Sequence, residues 1–407
     1  MSALPSQVVA EPSAPSSELP GPRAALRKLG RGELGSLRVL IVLAIIWTVF
    51  GIAHDRFLSA VNLTNLTLQI AAVGTISIGV VLVLLLGEID LSVGAVSGLA
   101  GAVMASLSVK AGWPAVPAIS AALATGALIG LFQGTVATRL EIPTFVVTLA
   151  GLLAWQGALL QVLGKTGTLN LTDPGIVNLA NTFYGDAVGW ILAVGSIAAI
   201  CAAALLGRRR RAAAKLPLEP LPALVLRVGA AAAAIVAAMA VLNSDRGVPL
   251  ALLILVVLVV LFDTIAMRTG FGRHIYAVGG NEEAARRSGI RVNRVRTIVF
   301  VLASTLAATG GVLEASRLLA ANQSSGGGDL LLLAIAGPVI AGVSLFGGRG
   351  RVWGALAGAL VIGSISNGMD LLNFESSVKF MVTGGVLLAA VSLDAIARMR
   401  RRAHGRL

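Results

Sequence analysis

The sequence predicts an all-α membrane bundle of about 10–12 spans, and three observations carry that prediction: long continuous apolar runs, a low charge content and a one-sided distribution of Lys and Arg. Apolar residues fill 56% of the 407 positions and charged residues only 13%, against roughly 25% charged in an ordinary soluble domain. The runs match the about 20 helical residues needed to cross a hydrocarbon core about 30 Å thick. They do not alternate apolar with polar residues, which argues against a β-barrel. The 48 glycines suit helices that pack backbone to backbone in lipid.

In chain order, residues 1–36 are rich in Pro, Ser and Ala with mixed charge and read as a disordered cytoplasmic tail. No cleavable signal peptide is evident, because the first apolar run begins only near Leu37 and lacks an A-x-A-like exit. Predicted spans follow near 37–53, 68–86, 91–109, 115–138, 143–163, 187–206, 222–242, 248–265, 297–319, 330–346, 352–369 and 376–395. With the N-terminus inside and strict alternation, Arg56, Lys110, Lys165, Arg246, Arg317 and Lys379 lie outside, which leaves 26 of the 32 Lys and Arg on the inner side. That is the positive-inside pattern, so the net charge of +13 reports topology and nucleic acid is not an expected partner. The basic, then Pro-containing stretch 207–222, opening on Arg208–Arg211, divides a first membrane half (37–206) from a second (223–396). A basic cytoplasmic tail, 397–407, closes the chain.

The halves contain an echo. Gly87, Gly94 and Gly98 recur as Gly347, Gly354 and Gly358, an offset of 260 residues, and each set is a polar turn followed by a G-x-x-x-G helix. Both turns fall on the inner side, so the predicted halves are duplicates running parallel about an axis along the membrane normal.

The inner loop 266–296 holds the most informative polar segment. Asn281 suits an N-cap, Glu282 and Glu283 complement the positive end of a helix dipole, Ala284 and Ala285 continue it, and Arg286 and Arg287 complement the negative end before Ser288. Gly289 supplies the left-handed residue that ends the helix. Two turns are marginal in water, so the membrane surface or a protein partner must hold them.

Three segments then carry a resemblance: Gly87–Gly94 (GEIDLSVG), Ala277–Ile290 (AVGGNEEAARRSGI) and Ser366–Leu372 (SNGMDLL). In that order they resemble the signature segments of monosaccharide ABC-transporter permeases of the ribose and xylose type. The likeness covers essentially everything after residue 37. Length, N-terminal extension and the segment Lys379–Asp394 look most like the xylose members, whereas the insertion at 207–222 is less typical of the shorter ribose members. The resemblance implies a permease subunit that imports a monosaccharide, D-xylose in the first instance, in the bacterial inner membrane with both termini cytoplasmic. It implies as partners a sugar-loaded periplasmic or tethered binding protein, a cytoplasmic ABC ATPase that binds ATP and Mg, and a second permease copy. Asn281–Gly289 then resembles the helix that docks in a cleft of the ATPase.

The chain itself is not expected to be an enzyme or to hold a cofactor. Gly164-Lys165-Thr166 follows Gly157 by six intervening residues where a Walker A loop has four, and no catalytic constellation is recognisable. The single Cys201 excludes disulfides within the chain, and His54, His274 and His404 are too scattered for a metal site. A neutral sugar path favours uncharged polar groups, which makes Gln69, Ser97 and Asn367 candidates, with Glu88 and Asp90 at the inner turn. A helix cap or helix–helix hydrogen bond is the competing role for each. Glu314 and Arg317 are expected to form an i,i+3 pair or to contact the binding protein. The rival class is an ion-coupled secondary transporter, which needs an ionisable relay near the midplane; the runs 115–138 and 143–163 contain no charged residue and 248–265 only Asp263 near its end.

Overall fold

A computed structural model describes residues 35–328 and 330–403. Every predicted apolar run is a helix, and three short helices join them. The first half contains α1 (Gly35–Ala53), α2 (Ala60–Leu85), α3 (Val93–Val109), α4 (Ala115–Arg139), α5 (Thr144–Leu163), the short α6 (Pro174–Asn181) and α7 (Asp186–Ala213). After it come α8 (Leu221–Asn243), α9 (Leu250–Arg268), the short α10 (Gly270–Gly280) and α11 (Glu282–Arg287), then α12 (Val292–Leu318), α13 (Leu330–Ile340), α14 (Trp353–Leu371) and α15 (Ser376–Ala403). Among the described residues eight helices are long and apolar enough to cross a membrane, and four apolar helical stretches are shorter, Val39–Ala53, Val93–Val109, Leu330–Ile340 and Ser376–Ala389.

Residues 1–34 of the expected tail lie outside the described residues, while Gly35 and Ser36 open α1. At the other terminus α15 continues through 397–403, so the described part of the expected basic tail is helical. Within the stretch 207–222, α7 runs on through Arg208–Arg211 to Ala213, and α8 starts at Leu221. α2 begins at Ala60 rather than near 68, because Ser59 caps it by accepting from Asn62 N and polar Asn62 is held by Phe57 O at 2.8 Å.

The connections sort to two ends of the bundle as alternation requires. At one end β1 (Thr168–Asn170) pairs antiparallel with β4 (Ala320–Asn322), and β2 (Phe183–Tyr184) with β3 (Val248–Pro249). There too Lys110 Nζ donates to the carbonyls of Val162 and Leu163, and Arg246 donates to Asn65 Oδ1 at 2.6 Å. At the other end Gly348 N donates to Leu85 O at 2.9 Å, and Arg351 pairs with Asp263 at 2.7 Å.

α2 and α12 are the axis of the core, the first buried along most of its length. α4 lies against α12 through Gly126, Gly130 and Gly134, where a methyl group would come within 2.5 Å of Ser304 O, 2.4 Å of Phe300 O and 2.9 Å of Thr297 Cα. Only a small-residue stripe permits that approach. Because α12 packs on α2, α3 and α4, the two halves interlock and form one core.

The echoed turns meet. Gly87 and Gly347 both have positive φ, +79° and +82°, and a methyl group on Gly347 would lie 2.8 Å from Gly87 N. Their helix glycines serve the same end: Gly98 faces Ser325 O and Gly358 faces the Gly337 backbone. α3 has 17 residues and α13 has 11, about 26 and 16 Å of helix, so neither crosses a full hydrocarbon core. Ser77, eight residues from the end of α2, donates to Ala334 O, which sets the start of α13 about halfway along α2. Its N-terminal approach abuts that of α3, since a methyl group on Gly94 would lie 2.5 Å from Gly326 O. Two helices thus begin within the bundle, next to each other.

Candidate translocation cavity and coupling face

The capped segment forms as its residues dictate. Asn281 accepts from Ala284 N at 2.9 Å, and Gly289 takes φ +82° while its N–H reaches Arg286 O. Arg286 pairs with Glu282 at 2.8 Å and Arg287 with Glu283 across one turn. Ala285 is the buried residue of α11, facing the core, and the charged residues face out. The preceding α10 is fixed by Thr269 at its N-cap. At its far end a methyl group on Gly279 would meet Leu85 O at 1.8 Å, so α10 rests directly on the end of α2.

Arg296, in the first turns of α12, ties this segment to the transmembrane helices. It donates to Glu282 Oε2 at 3.0 Å and to Glu88 Oε1 at 2.6 Å. Glu88 also accepts from Thr144 Oγ1 at the start of α5. The Arg296 and Glu88 side chains are only 16% and 17% exposed, so this junction is desolvated while the outward pairs of α11 are not. Burial alone would raise the Glu282 carboxyl, but the hydrogen bond from Arg286 and the charge of Arg296 outweigh it and hold it below the ordinary value. A polar cleft of about 450 Å³ opens beside the junction, lined by Glu88, Glu141, Thr144, Glu282, Asn293 and Arg296. A second tie, Tyr276 Oη to Gly350 O at 2.8 Å, fastens α10 to the Gly347 turn.

From Glu88 the chain enters the bundle. Asp90 Oδ1 accepts from Ser92 N at 2.8 Å and Ser92 Oγ at 2.7 Å. Ser92 also bonds Gln133 of α4, and Leu91 N donates to Thr148 of α5 at 3.1 Å. The polar turn is therefore pinned from α4 and α5. Ser97 is buried and donates to Gly94 O at 2.7 Å, and its carbonyl faces Gly311 of α12.

Toward the opposite end lies a cavity of about 360 Å³, within the about 300–1,000 Å³ of small-molecule sites. Its polar lining includes Gln69, Glu314, Arg317, Asn322, Ser366 and Asp370, and the residues leading into α13 form one wall. Glu314 and Arg317 make the expected i,i+3 pair, bidentate at 2.7 and 3.1 Å. Asp370 pairs with Lys379. Asn367, one residue from Ser366, is buried instead: its amide and that of Asn62 exchange two hydrogen bonds at 3.0 and 2.8 Å and lock α14 to α2.

The structure therefore gathers Asn281–Gly289 with Glu88 at one end and places Gln69 in the cavity toward the other. Asp90, Ser97 and Asn367 do not line that cavity: Asp90 accepts from Ser92 through Oδ1 while its buried Oδ2 has no partner, Ser97 donates to Gly94 O within α3, and Asn367 bonds Asn62 of α2. Sequence reasoning did not single out Arg296, Gln133, Asn322 or Ser366. Arg296 is the last of three arginines, with Arg291 and Arg294, that open an apolar run, and nothing local sets it apart because its two partners lie 14 and 208 positions away.

Residues 62–391 match the family described as branched-chain amino acid transport system, permease component. The chain is 38% identical to the xylose transport system permease protein XylH of Escherichia coli K12, over 89% of this chain and 91% of that protein. It is equally similar to XylH of Haemophilus influenzae, over 88% and 95%. The ribose import permease protein RbsC of E. coli K12 is 32% identical, over 87% and 92%. No solved structure matches the chain.

Proposed function

Since this chain belongs to the permease family of ABC transport systems and is a multi-pass membrane protein, we propose that it is the transmembrane subunit of an importer that takes up a monosaccharide, D-xylose, driven by a separate cytoplasmic ATPase. Its working form pairs two copies of the chain in the bacterial inner membrane, with both termini and α11 on the cytoplasmic face. A sugar-loaded binding protein, periplasmic or tethered, docks at the end where the cavity lies. The identity to xylose permeases exceeds that to ribose permeases, which supports xylose over ribose.

The observation that carries the reading is the junction of Arg296 with Glu282 and Glu88. Asn281–Gly289 is the ATPase-coupling helix, and a rigid capped helix transmits closure of the ATPase as a body motion where a loose loop would absorb it. Arg296 passes that motion to the start of the Glu88–Ser92 turn, and hence to the paired origins of α3 and α13. Gln69 contacts the sugar in the cavity. Asp90, Ser97 and Asn367 shape the path by fixing the helices around it. No catalytic group or cofactor of this chain enters the cycle, because the chemistry is ATP hydrolysis in the partner.

The test replaces Glu282 and Glu283 together by Lys. Insertion of the protein is expected to be intact, with ATPase association and sugar uptake abolished. A double variant that copurifies with its ATPase and transports normally overturns the coupling role. Uptake of labelled xylose, ribose and arabinose after deletion of the chain's gene fixes the sugar.

A further inference from the structure

The hairpin of α7 and α8 stands apart from the core. Gly189 and Ala193 are the buried residues of α7, Leu224 and Leu242 those of α8, while Ile191, Val194 and Leu226 are 69%, 66% and 74% exposed. A helix pair this apolar and this exposed is surrounded by lipid tails. α7 has 28 residues, about 42 Å, against a hydrocarbon core of about 30 Å. Its excess length is the arginine-bearing end. α7 starts beside the β2–β3 pairing, so that end lies at the same side of the bundle as α11.

Between the two helices at this level is a cavity of about 340 Å³. Ala203, Ala204 and Gly207 form its apolar floor, and Arg208, Arg211 and Arg227 its rim. Arg208 and Arg211, three apart, share the helix face toward α8. Glu219 holds two of the three guanidiniums in place, by accepting from Arg208 Nη1 through its carbonyl at 2.8 Å and pairing with Arg227 at 3.3 Å. Among the described residues the side chain of Arg211 has no hydrogen-bond or ion-pair partner, nor do those of Arg209, Arg210 and Lys215. Six cations thus surround one carboxylate where the helices leave the hydrocarbon.

We propose that this cleft binds the phosphate headgroup of an anionic glycerophospholipid from the surrounding leaflet. Guanidinium groups present paired donors that fit phosphate oxygens, and basic pockets between transmembrane helices on the cytoplasmic side are where such headgroups lodge. The exposed apolar faces of α7 and α8 directly beneath supply the surface for the acyl chains. A small-residue floor, with no side chain at Gly207, leaves room for the glycerol. The ATPase is a poorer occupant, because the cavity lies between the helices at the hydrocarbon edge and its floor is apolar.

The test uses the full chain purified in mild detergent and a thermal-stability readout with added phosphatidylglycerol, phosphatidylcholine or inorganic phosphate. A Tm rise of several degrees is expected with phosphatidylglycerol alone. Arg208→Gln/Arg211→Gln/Arg227→Gln abolishes the rise, whereas Arg209→Gln/Arg210→Gln, which removes similar charge off the cavity rim, keeps it. Since charge removal can disturb insertion, Gly207→Phe is the second variant: a Cβ there meets no neighbour within 4 Å, the ring enters the cleft that Gly207 lines with every charge kept, and it too abolishes the rise. Equal stabilisation by phosphatidylcholine or by phosphate overturns the proposal, as does equal loss in the Arg209/Arg210 variant or a full response in Gly207→Phe.

Discussion

Replacing Arg296 by Ala removes the one side chain, among the described residues, that ion-pairs with both the coupling segment at Glu282 and the polar turn at Glu88. The 2.6 Å pair with Glu88 is five-sixths buried on both sides, and taking one partner from a buried pair costs about 3–5 kcal/mol because the other charge is left uncompensated. The residual exposure of Glu88 and its bond from Thr144 set the low end, about 3 kcal/mol. At about 1.4 kcal/mol per factor of ten this is roughly a hundredfold loss in the population of the linked state. The outward pair of Glu283 with Arg287 is untouched, so ATPase binding persists. In proteoliposomes holding the permease, its ATPase and its binding protein, Arg296→Ala is expected to hydrolyse ATP while sugar uptake falls about a hundredfold. Uptake within twofold of the parent protein, at equal ATPase incorporation, refutes the relay.

Three further outcomes follow from the same contacts. Asn367→Ala leaves Asn62 without its buried partner and should lower stability by about 1–3 kcal/mol, visible in a melting curve; an unchanged Tm removes Asn367 as a helix lock and returns it to the sugar path. Gln69→Leu with Ser366→Ala removes two of the cavity's uncharged polar groups, leaving Asn322, Ser324 and Ser325, and should cut uptake at least about fivefold, the worth of one ~1 kcal/mol hydrogen bond, with assembly and ATP hydrolysis intact; undiminished uptake contradicts the cavity's role. The Glu282 carboxyl is held below its ordinary value, so its stabilising contribution is complete above the ordinary pKa of about 4.3 and is lost as pH falls through the lowered folded value. ATPase association measured by pull-down should therefore hold from pH 7 to about 5 and drop in stronger acid, and Glu282→Gln should flatten that drop.

Much of this architecture is written locally. Each apolar run became a helix, and Asn281, Glu282, Glu283, Arg286, Arg287 and Gly289 took the positions their dipole and capping chemistry dictates. The alternation of basic residues anticipated which connections share an end. Other features depend on partners distant in sequence. The glycine repeat 126, 130, 134 was visible as a pattern, yet its use depends on α12 arriving 170 residues later. Composition leaves open whether every run crosses fully or one near Gly87 re-enters, because the starting points of α3 and α13 are set by the Gly94–Gly326 contact. Asn367 and Ser97 are open in the sequence between a path role and a helix contact, and in the structure each makes hydrogen bonds inside the bundle. The basic, Pro-containing composition of 207–222 marks the break between the halves but does not say that α7 continues through Arg208–Arg211 to Ala213.

The central claim is that motion made by an external ATPase at Asn281–Gly289 moves a sugar through this chain. Its most direct measurement is xylose accumulation in sealed proteoliposomes containing the permease, ATPase and loaded binding protein, with ATP supplied on the α11 side and no ion gradient. The account predicts accumulation that requires hydrolysable ATP and disappears with Glu282→Lys/Glu283→Lys. Accumulation driven by a proton or sodium gradient without ATP would contradict it.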